Sequence, residues 1–215
     1  RYTLAGGCFV ETVVTVLAAP ADITGTFSIC NGTSTTLTST GTGAWTSSNT
    51  GVVTVSGTAA TTTANGVGVG TATITHTLAA TGCFKTAVVT VNVVPTSISG
   101  SLSVCLGNTS SLSSTPSGGT WTSSATGTAT IGASTGIVSS VAAGTTTIRY
   151  TAVGGCFSES VVSVLAVPAN ITGTTTVCAG SSATLTSSGT GPRISSNGSI
   201  VTVSGTAATT TATGV

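Results

Sequence analysis

The feature that most constrains the fold of this chain is a Cys–Trp–Cys unit that occurs twice in full. In each unit a cysteine in a Cys-x-Gly context precedes a tryptophan by 15 or 16 positions, and a Gly-Cys-Phe sequence follows the tryptophan. The two units comprise Cys30, Trp45 and Cys83, and Cys105, Trp121 and Cys156. Their first cysteines are 75 positions apart and their second cysteines 73. A fixed period of this length predicts an array of stacked structural units.

The repeat pattern also sets the boundaries of these units. Residues 1–67 align without gaps onto residues 149–215 with 46 identities, so that a pair of repeats forms a larger period of 148. We divide the chain into an N-terminal partial repeat (1–21), a first full repeat (22–95), a second full repeat (96–168) and a C-terminal partial repeat (169–215). Both ends of the chain fall inside a repeat, which predicts that it is a window from a longer array.

The composition favours β-structure and disfavours several classes of partner. Charged residues make up only 3% of the chain, 51 of its 215 residues are threonine, and the mean hydropathy is +0.56. β-Branched residues fit a pleated, half-buried surface. No apolar run approaches the ~18–20 residues of a membrane helix, and a net charge of +1 gives no reason to expect nucleic acid or anionic membrane as a partner.

Alternation of apolar and polar residues predicts short strands in each repeat. In the first full repeat we place seven strands, near 24–30, 34–40, 43–48, 52–56, 60–65, 70–78 and 84–93. Such strands, separated by Gly and Asn turns, predict an all-β fold of antiparallel sandwiches in a linear array, without helices. The expected core residues are Leu37, Trp45, Ile74, Leu112, Trp121 and Ile148. Prolines at the junctions predict a rod, with roughly 36 Å for each repeat.

The cysteines indicate the compartment. The chain has no Cys-x-x-Cys and only one histidine, so a zinc site is poorly supported and we expect no metal or cofactor. Regularly spaced cysteines in a β protein with small cores instead predict disulfides and an oxidising, extracellular or cell-surface location. The disulfide candidates are Cys8, Cys30, Cys83, Cys105, Cys156 and Cys178.

Together these motifs resemble bacterial immunoglobulin-like tandem repeats. The resemblance rests on Cys-x-Gly-x-x-x-x-Leu, Gly-x-Trp-Thr-Ser-Ser, Gly-Thr-x-x-Ile and Gly-Cys-Phe, and it covers the whole chain. The repeats are similar to those of giant extracellular surface proteins of gliding bacteria, which implies a filament, stalk or adhesin. One position departs from the pattern, because Arg193 stands where the tryptophan belongs, and this puts the core of that repeat in doubt.

Two disulfide pairings are compatible with these repeats. Pairing within a repeat joins Cys30 to Cys83 and Cys105 to Cys156, at similar spacings of 53 and 51. Pairing across repeats joins Cys30 to Cys156, and Cys105 to a cysteine beyond Val215. The second follows if the first and last strands of each sandwich run parallel, because Cys30 and Cys83 then lie at opposite ends of their repeat.

The remaining chemically active side chains suggest no catalytic site. His76 aligns with Tyr2 and Tyr150 and is interpreted as a core strand residue, and Glu11 and Glu159 as equivalent residues of a solvated strand face. No Gly-x-Ser-x-Gly elbow with a His and an acid appears. We therefore predict a non-enzymatic structural or adhesive segment whose partners are neighbouring repeats or copies of the protein. The alternative is a carbohydrate-binding array, for which the candidate exposed or junctional aromatics are Phe9, Phe84 and Phe157.

Overall fold

The computed structural model describes residues 1–189, 191–205 and 208–215. Throughout these residues the regular secondary structure is β-strand, and no helix occurs among them. It follows that this part of the chain contains no helix that is long and apolar enough to cross a membrane.

The first full repeat folds into two four-stranded sheets, and a two-stranded hairpin precedes it. The hairpin pairs β1 (Tyr2–Thr3) with β2 (Phe9–Val10). The strands of the first full repeat are β3 (Thr24–Gly25), β4 (Ser28–Cys30), β5 (Ser34–Thr38), β6 (Gly43–Ser47), β7 (Val53–Thr54), β8 (Thr61–Gly66), β9 (Gly70–Leu78) and β10 (Phe84–Asn92). One sheet has the order β3-β5-β8-β7 and the other β4-β10-β9-β6.

The second full repeat has the same topology, and the C-terminal partial repeat has half of it. The second full repeat contains β11 (Ser99–Gly100), β12 (Ser103–Cys105), β13 (Thr109–Ser113), β14 (Thr120–Ser123), β15 (Ala129–Ile131), β16 (Ile137–Ser140), β17 (Gly144–Thr151) and β18 (Phe157–Leu165). Its sheets are β11-β13-β16-β15 and β12-β18-β17-β14. The C-terminal partial repeat contains β19 (Thr172–Gly173), β20 (Ser182–Thr186), β21 (Val201–Ser204) and β22 (Thr209–Gly214), which form one sheet in the order β19-β20-β22-β21.

The strand pairing in each full repeat is that of an immunoglobulin-like sandwich. All neighbours in the four sheets run antiparallel except β4 with β10 and β12 with β18, which pair the second strand segment of each repeat in parallel with its last. The predicted fold class is therefore confirmed: the described chain is all-β and built from tandem immunoglobulin-like sandwiches.

The predicted single strand over 24–30 is wrong, because the chain changes sheets within it. β3 pairs with β5 in one sheet, whereas β4 pairs with β10 in the other. The change follows Gly25, which has φ +140° and lies so close to β5 that a Cβ atom there would be 2.5 Å from the Thr36 carbonyl oxygen. Only glycine tolerates this conformation and this approach. The first full repeat consequently has eight strand segments rather than seven.

Each full repeat has its own small core between its two sheets. In the first, Leu37, Ile74, Val89 and Val91 are almost completely buried, and Trp45 lies among them. In the second, Leu112, Trp121, Ile148, Val138 and Val162 occupy the corresponding space. The side chains come from alternate positions of the strands, as the period of two requires.

Candidate functional site

The register of the parallel strand pair determines where the cysteines of one repeat lie. Cys30 lies opposite Asn92 at the end of β10, whereas Cys83 comes just before Phe84 at its start. Nine residues of extended chain at ~3.3 Å separate the two positions by roughly 30 Å. A disulfide tolerates Cα atoms no more than about 7 Å apart, so a bond within the repeat is geometrically excluded.

The structure instead contains a disulfide between the two full repeats. Cys30 is bonded to Cys156 with a Cα–Cα distance of 5.8 Å, across 126 positions of sequence. Cys156 is buried, and its sulfur lies 4.0 Å from the carbonyl oxygen of Asn92. The bond joins Cys30, at the end of β4 in the first full repeat, to Cys156, in the turn before β18 of the second. It therefore links the two repeats covalently across their junction.

Asn92 makes contacts with residues of both repeats around this bond. Its side-chain nitrogen donates to Ser28 Oγ at 2.8 Å, and its carbonyl oxygen accepts from the Asn31 backbone N–H at 2.9 Å. From the other repeat Gly154 approaches closely, because a Cβ atom at that position would lie 2.4 Å from Asn92 Oδ1. Gly154 has φ +102°, which also favours glycine. Backbone shape, hydrogen bonds and the disulfide thus all hold the same junction.

An equivalent junction precedes the first full repeat. The sulfur of Cys83 lies 3.8 Å from the carbonyl oxygen of Leu17, and Thr81 Oγ1 donates to the Ala18 carbonyl at 3.2 Å. Leu17 corresponds in the repeat alignment to Asn92, as Cys83 corresponds to Cys156. Cys83 therefore occupies the same place at its junction as Cys156 at the next. Cys83 is not disulfide-bonded, and neither are Cys8, Cys105 and Cys178, which are exposed.

The two tryptophans pack against different partners in the two repeats. Trp45 stacks on His76 with ring centroids 4.3 Å apart, and Trp121 packs on Tyr150 at 4.6 Å. His76 is completely buried, and neither of its ring nitrogens has a hydrogen-bond partner among the described residues. Burial lowers the pKa of His76 below its usual value, because the low-dielectric core disfavours the charged imidazolium. His76 thus fills a core position in the place of a tyrosine.

The charged side chains form exposed pairs that lie on different repeats. Arg149 Nε lies 2.8 Å from Glu159 Oε1, its cross-strand partner, and its guanidinium lies 4.0 Å from the centre of the Phe157 ring. Arg1, Glu11 and Phe9 repeat this arrangement in the N-terminal hairpin. The alignment of the repeats predicts that the two glutamates are equivalent, but their arginine partners do not follow from it. The signal was available, since an arginine and a glutamate ten positions apart flank each hairpin.

In the first full repeat a different ion pair occurs near the junction. Lys85 Nζ lies 2.7 Å from Asp22 Oδ1, and this hydrogen-bonded ammonium lowers the pKa of the Asp22 carboxyl. Phe84 beside it is exposed, as are Phe9 and Phe157. No group of three or more His, Cys, Asp or Glu side chains that can hold a metal ion occurs in the described part of the chain. The dominant feature is accordingly the bonded junction rather than a cleft with reactive groups.

Comparison with solved structures shows the fold class of the chain. The chain is similar to a C-terminal fragment of intimin, solved in complex with the intimin-binding domain of the translocated intimin receptor. The TM-score is 0.53 and the identity 14%, over 68% of this chain and 64% of that fragment. The chain thus spans less than two thirds of the fragment. No family model and no curated protein matches the chain.

Two other solved structures resemble it less closely. Domains 4 and 5 of the S-layer protein SbsC share 22% identity over 70% of this chain and all of that one, with a TM-score of 0.33. Murine CEACAM1b shares 13% identity over 68% of this chain and all of that one, with a TM-score of 0.35. The sheet topology and the likeness to the intimin fragment define the class: this chain is an array of immunoglobulin-like domains.

Proposed function

We propose that this chain is a non-enzymatic structural segment of an extracellular surface filament or adhesin stalk, of the kind its repeats resemble in gliding bacteria. In this proposal residues 22–95 and 96–168 are each one complete unit, and residues 1–21 and 169–215 belong to two further units. The observation that carries the proposal is the Cys30–Cys156 disulfide across the junction. Bonds of this kind form and persist in oxidising compartments.

The position of the bond supports a role under tension. A force along the array passes from one repeat to the next through the junction, and the disulfide provides a covalent path beside the single connecting chain. The loop that it closes contains most of both cores, including Trp45 and Trp121. While the disulfide is intact, unfolding of the residues inside this loop under load therefore cannot increase the distance between Cys30 and Cys156.

Stretching a single molecule by its two ends tests this role. When the bond is intact, the 126 positions between the cysteines cannot extend, and we expect the fully extended molecule to be shorter by roughly 430 Å than after reduction. Cys30→Ser should give the longer extension without reductant. Cys105→Ser is the matched control, because Cys105 is not bonded here. Equal extension of the native chain and Cys30→Ser would contradict the proposal.

A second candidate function is carbohydrate binding, which the exposed rings of Phe9, Phe84 and Phe157 favour. Flat, solvent-accessible aromatic rings can stack on sugar rings, but Arg149 covers part of Phe157. Titration with a panel of oligosaccharides, followed by NMR of the phenylalanine rings, tests this function. Binding that Phe84→Ala abolishes and that the exposed-strand control Val88→Ala retains would support it. If no sugar shifts the NMR resonances of the phenylalanine rings, carbohydrate binding is rejected and only the structural role remains.

A further inference from the structure

The outer face of the sheet β12-β18-β17-β14 in the second full repeat combines apolar and charged side chains. Along β18 the residues that point away from the core are exposed, and they include Phe157, Glu159, Val161 and Leu165. Arg149 on β17 is exposed on the same face, as the cross-strand partner of Glu159. Aromatic residues and arginine are the side chains that protein interfaces prefer over the rest of the surface.

The ion pair on this face retains capacity for a further partner. Arg149 Nε contacts Glu159 Oε1 at 2.8 Å, and the guanidinium lies 4.0 Å from the centre of the Phe157 ring. A guanidinium has five N–H donors and a carboxylate has two acceptor oxygens, so this single contact uses only part of each group. With Thr122 and Thr147, the pair lines an open groove of about 400 Å³.

The sandwich itself does not require this ion pair. In the first full repeat Thr75 and Thr86 pair across β9 and β10 at the equivalent positions, and the sheet has the same order. The N-terminal hairpin again has the charges, as Arg1 and Glu11. Since two threonines support the same fold, the ion pair points to a role at the protein surface rather than in the stability of the sheet.

The arrangement of charges makes this face complementary to itself. In a symmetric dimer, a residue of one copy contacts a second residue of the other copy, and the reverse contact is also made. A two-fold axis parallel to the strands, between β17 and β18, places Arg149 of each copy opposite Glu159 of the other. The same axis passes through the middle of the sheet order β12-β18-β17-β14, so all four strands overlap. It also keeps the strand directions parallel, and sheets that pack face to face keep these within about 30° of each other.

We propose that the chain associates side by side with a second copy of itself through this outer face, so that Arg149 and Glu159 of the two copies form one network of alternating charge. Val161 of each copy then lies opposite Thr147 of the other, since these two are cross-strand partners. The apolar groups drive the association by leaving water, and the charges determine its orientation. Because the pair has no net charge, it favours neither an anionic nor a cationic partner.

This association goes beyond the filament function above, because it concerns contacts between chains rather than the junction within one. The stretching experiment uses a single molecule and no second copy. Its result is therefore independent of whether two chains associate, and either proposal can fail without the other.

Sedimentation equilibrium of the full chain, with its free thiols alkylated to prevent disulfides between molecules, tests the association. Every chain in this test carries Arg1→Thr and Glu11→Thr, so that only the ion pair of the second full repeat is measured. We expect a monomer close to the 20.3 kDa of the native chain at low concentration and a dimer at high concentration. A chain that stays monomeric at every concentration would overturn the proposal.

Reversal of one charge at a time separates this dimer from nonspecific association. Arg149→Glu gives the face two negative groups and Glu159→Arg two positive groups, and each variant alone should associate at least tenfold more weakly. Mixed in equal amounts, the two variants should form the dimer again, because every opposed pair is then attractive. Lys85→Glu is the matched control, since it reverses a charge in the exposed ion pair with Asp22 on the first full repeat. Equal association of Arg149→Glu and Lys85→Glu, or a mixture that stays monomeric, would contradict the proposal.

Discussion

The two full repeats fill one core position with different side chains. Trp121 packs against Tyr150, whose hydroxyl donates to the Pro116 carbonyl at 2.6 Å and accepts from the Gly119 backbone N–H at 2.8 Å. In the first full repeat Trp45 stacks almost parallel on His76, at an interplanar angle of 17°. The imidazole makes no equivalent hydrogen bonds, since both of its nitrogens are buried without a partner in the described chain.

The difference separates two contributions to stability, the packing of an aromatic ring and its hydrogen bonds, that are usually combined in one residue. Both repeats keep the contact between a tryptophan and a flat ring, which buries apolar area and fixes the distance between β6 and β9 or β14 and β17. Only the second adds hydrogen bonds that join the strand to the loop around Pro116. The ring contact is therefore common to both sandwiches, whereas the hydrogen bonds of the aromatic pair differ: the Tyr150 hydroxyl makes them in the second repeat, and in the first Trp45 Nε1 donates to the Ala59 carbonyl at 2.8 Å.

The largest effect is expected from removal of the tryptophans. Trp121→Ala should destabilise the second full repeat by about 3–5 kcal/mol, since a large buried aromatic leaves a cavity. Trp45→Ala should cost less, because water entering the cavity can hydrate the buried His76. Denaturant unfolding followed by circular dichroism measures both, and the remaining tryptophan reports the other repeat by fluorescence. A loss below ~1 kcal/mol for Trp121→Ala would show that it is not a core residue.

Breaking the bond between the repeats should reveal their separate stabilities. Cys30→Ser removes the disulfide to Cys156; disulfides contribute typically about 2–4 kcal/mol, and the chain-entropy model gives about 5 kcal/mol for a loop of this length. We expect the single unfolding transition of the native chain, followed by circular dichroism with both tryptophans in place, to split into two. In the Cys30→Ser background, chains that keep one tryptophan each then assign one transition to each repeat by fluorescence. Cys105→Ser should leave the transition unchanged. Two transitions already present in the oxidised native chain would refute the coupling.

The strands with a clear alternation could be predicted from the sequence. Ala72, Ile74 and His76 share the inner face of β9 as expected, because the period of two depends only on local geometry. The division of 24–30 into two strands could not be predicted in this way. Its residues all favour strand, and which sheet each half joins depends on contacts with β5 and β10. The one local signal was Gly25, whose conformation and close approach require glycine.

The cysteine spacing alone left both disulfide pairings open. The similar separations of Cys30–Cys83 and Cys105–Cys156 fit a bond inside each repeat equally well. What decides between them is the parallel pairing of β4 with β10, which places Cys30 beside Asn92 and far from Cys83. This pairing joins residues more than sixty positions apart, so no short motif in the sequence contains it.

A smaller effect is expected from removal of the tyrosine hydroxyl that distinguishes the second repeat. Tyr150→Phe leaves the Gly119 N–H and the Pro116 carbonyl without this partner and should destabilise the repeat by about 1–3 kcal/mol. Tyr2→Phe is the matched control, because the equivalent hydroxyl in the N-terminal partial repeat belongs to an exposed side chain. It should change stability by less than ~0.5 kcal/mol. If the two variants lose equal stability in denaturant titrations, the hydroxyl is not an anchor.

The smallest effect near neutral pH is expected for the pH dependence of the first full repeat's stability. This effect is also the most specific to that repeat. Burial lowers the pKa of His76 in the folded state, whereas in the unfolded chain it should be near 6.5. Below that pH the unfolded state binds a proton that the folded state does not, so stability falls as pH decreases, by at most ~1.4 kcal/mol per unit.

The matched comparison uses Cys30→Ser as background, so that each repeat unfolds on its own. Between pH 7.5 and 5 we expect the Trp45 transition to shift to lower denaturant and the Trp121 transition to stay constant, because the single histidine of the chain, His76, lies in the first full repeat. His76→Phe keeps the ring contact and should abolish the shift. Asp22, whose pKa is also lowered, loses its charge only at more acid pH and so affects a separate range. An equal shift in both repeats would assign the pH dependence to a group other than His76.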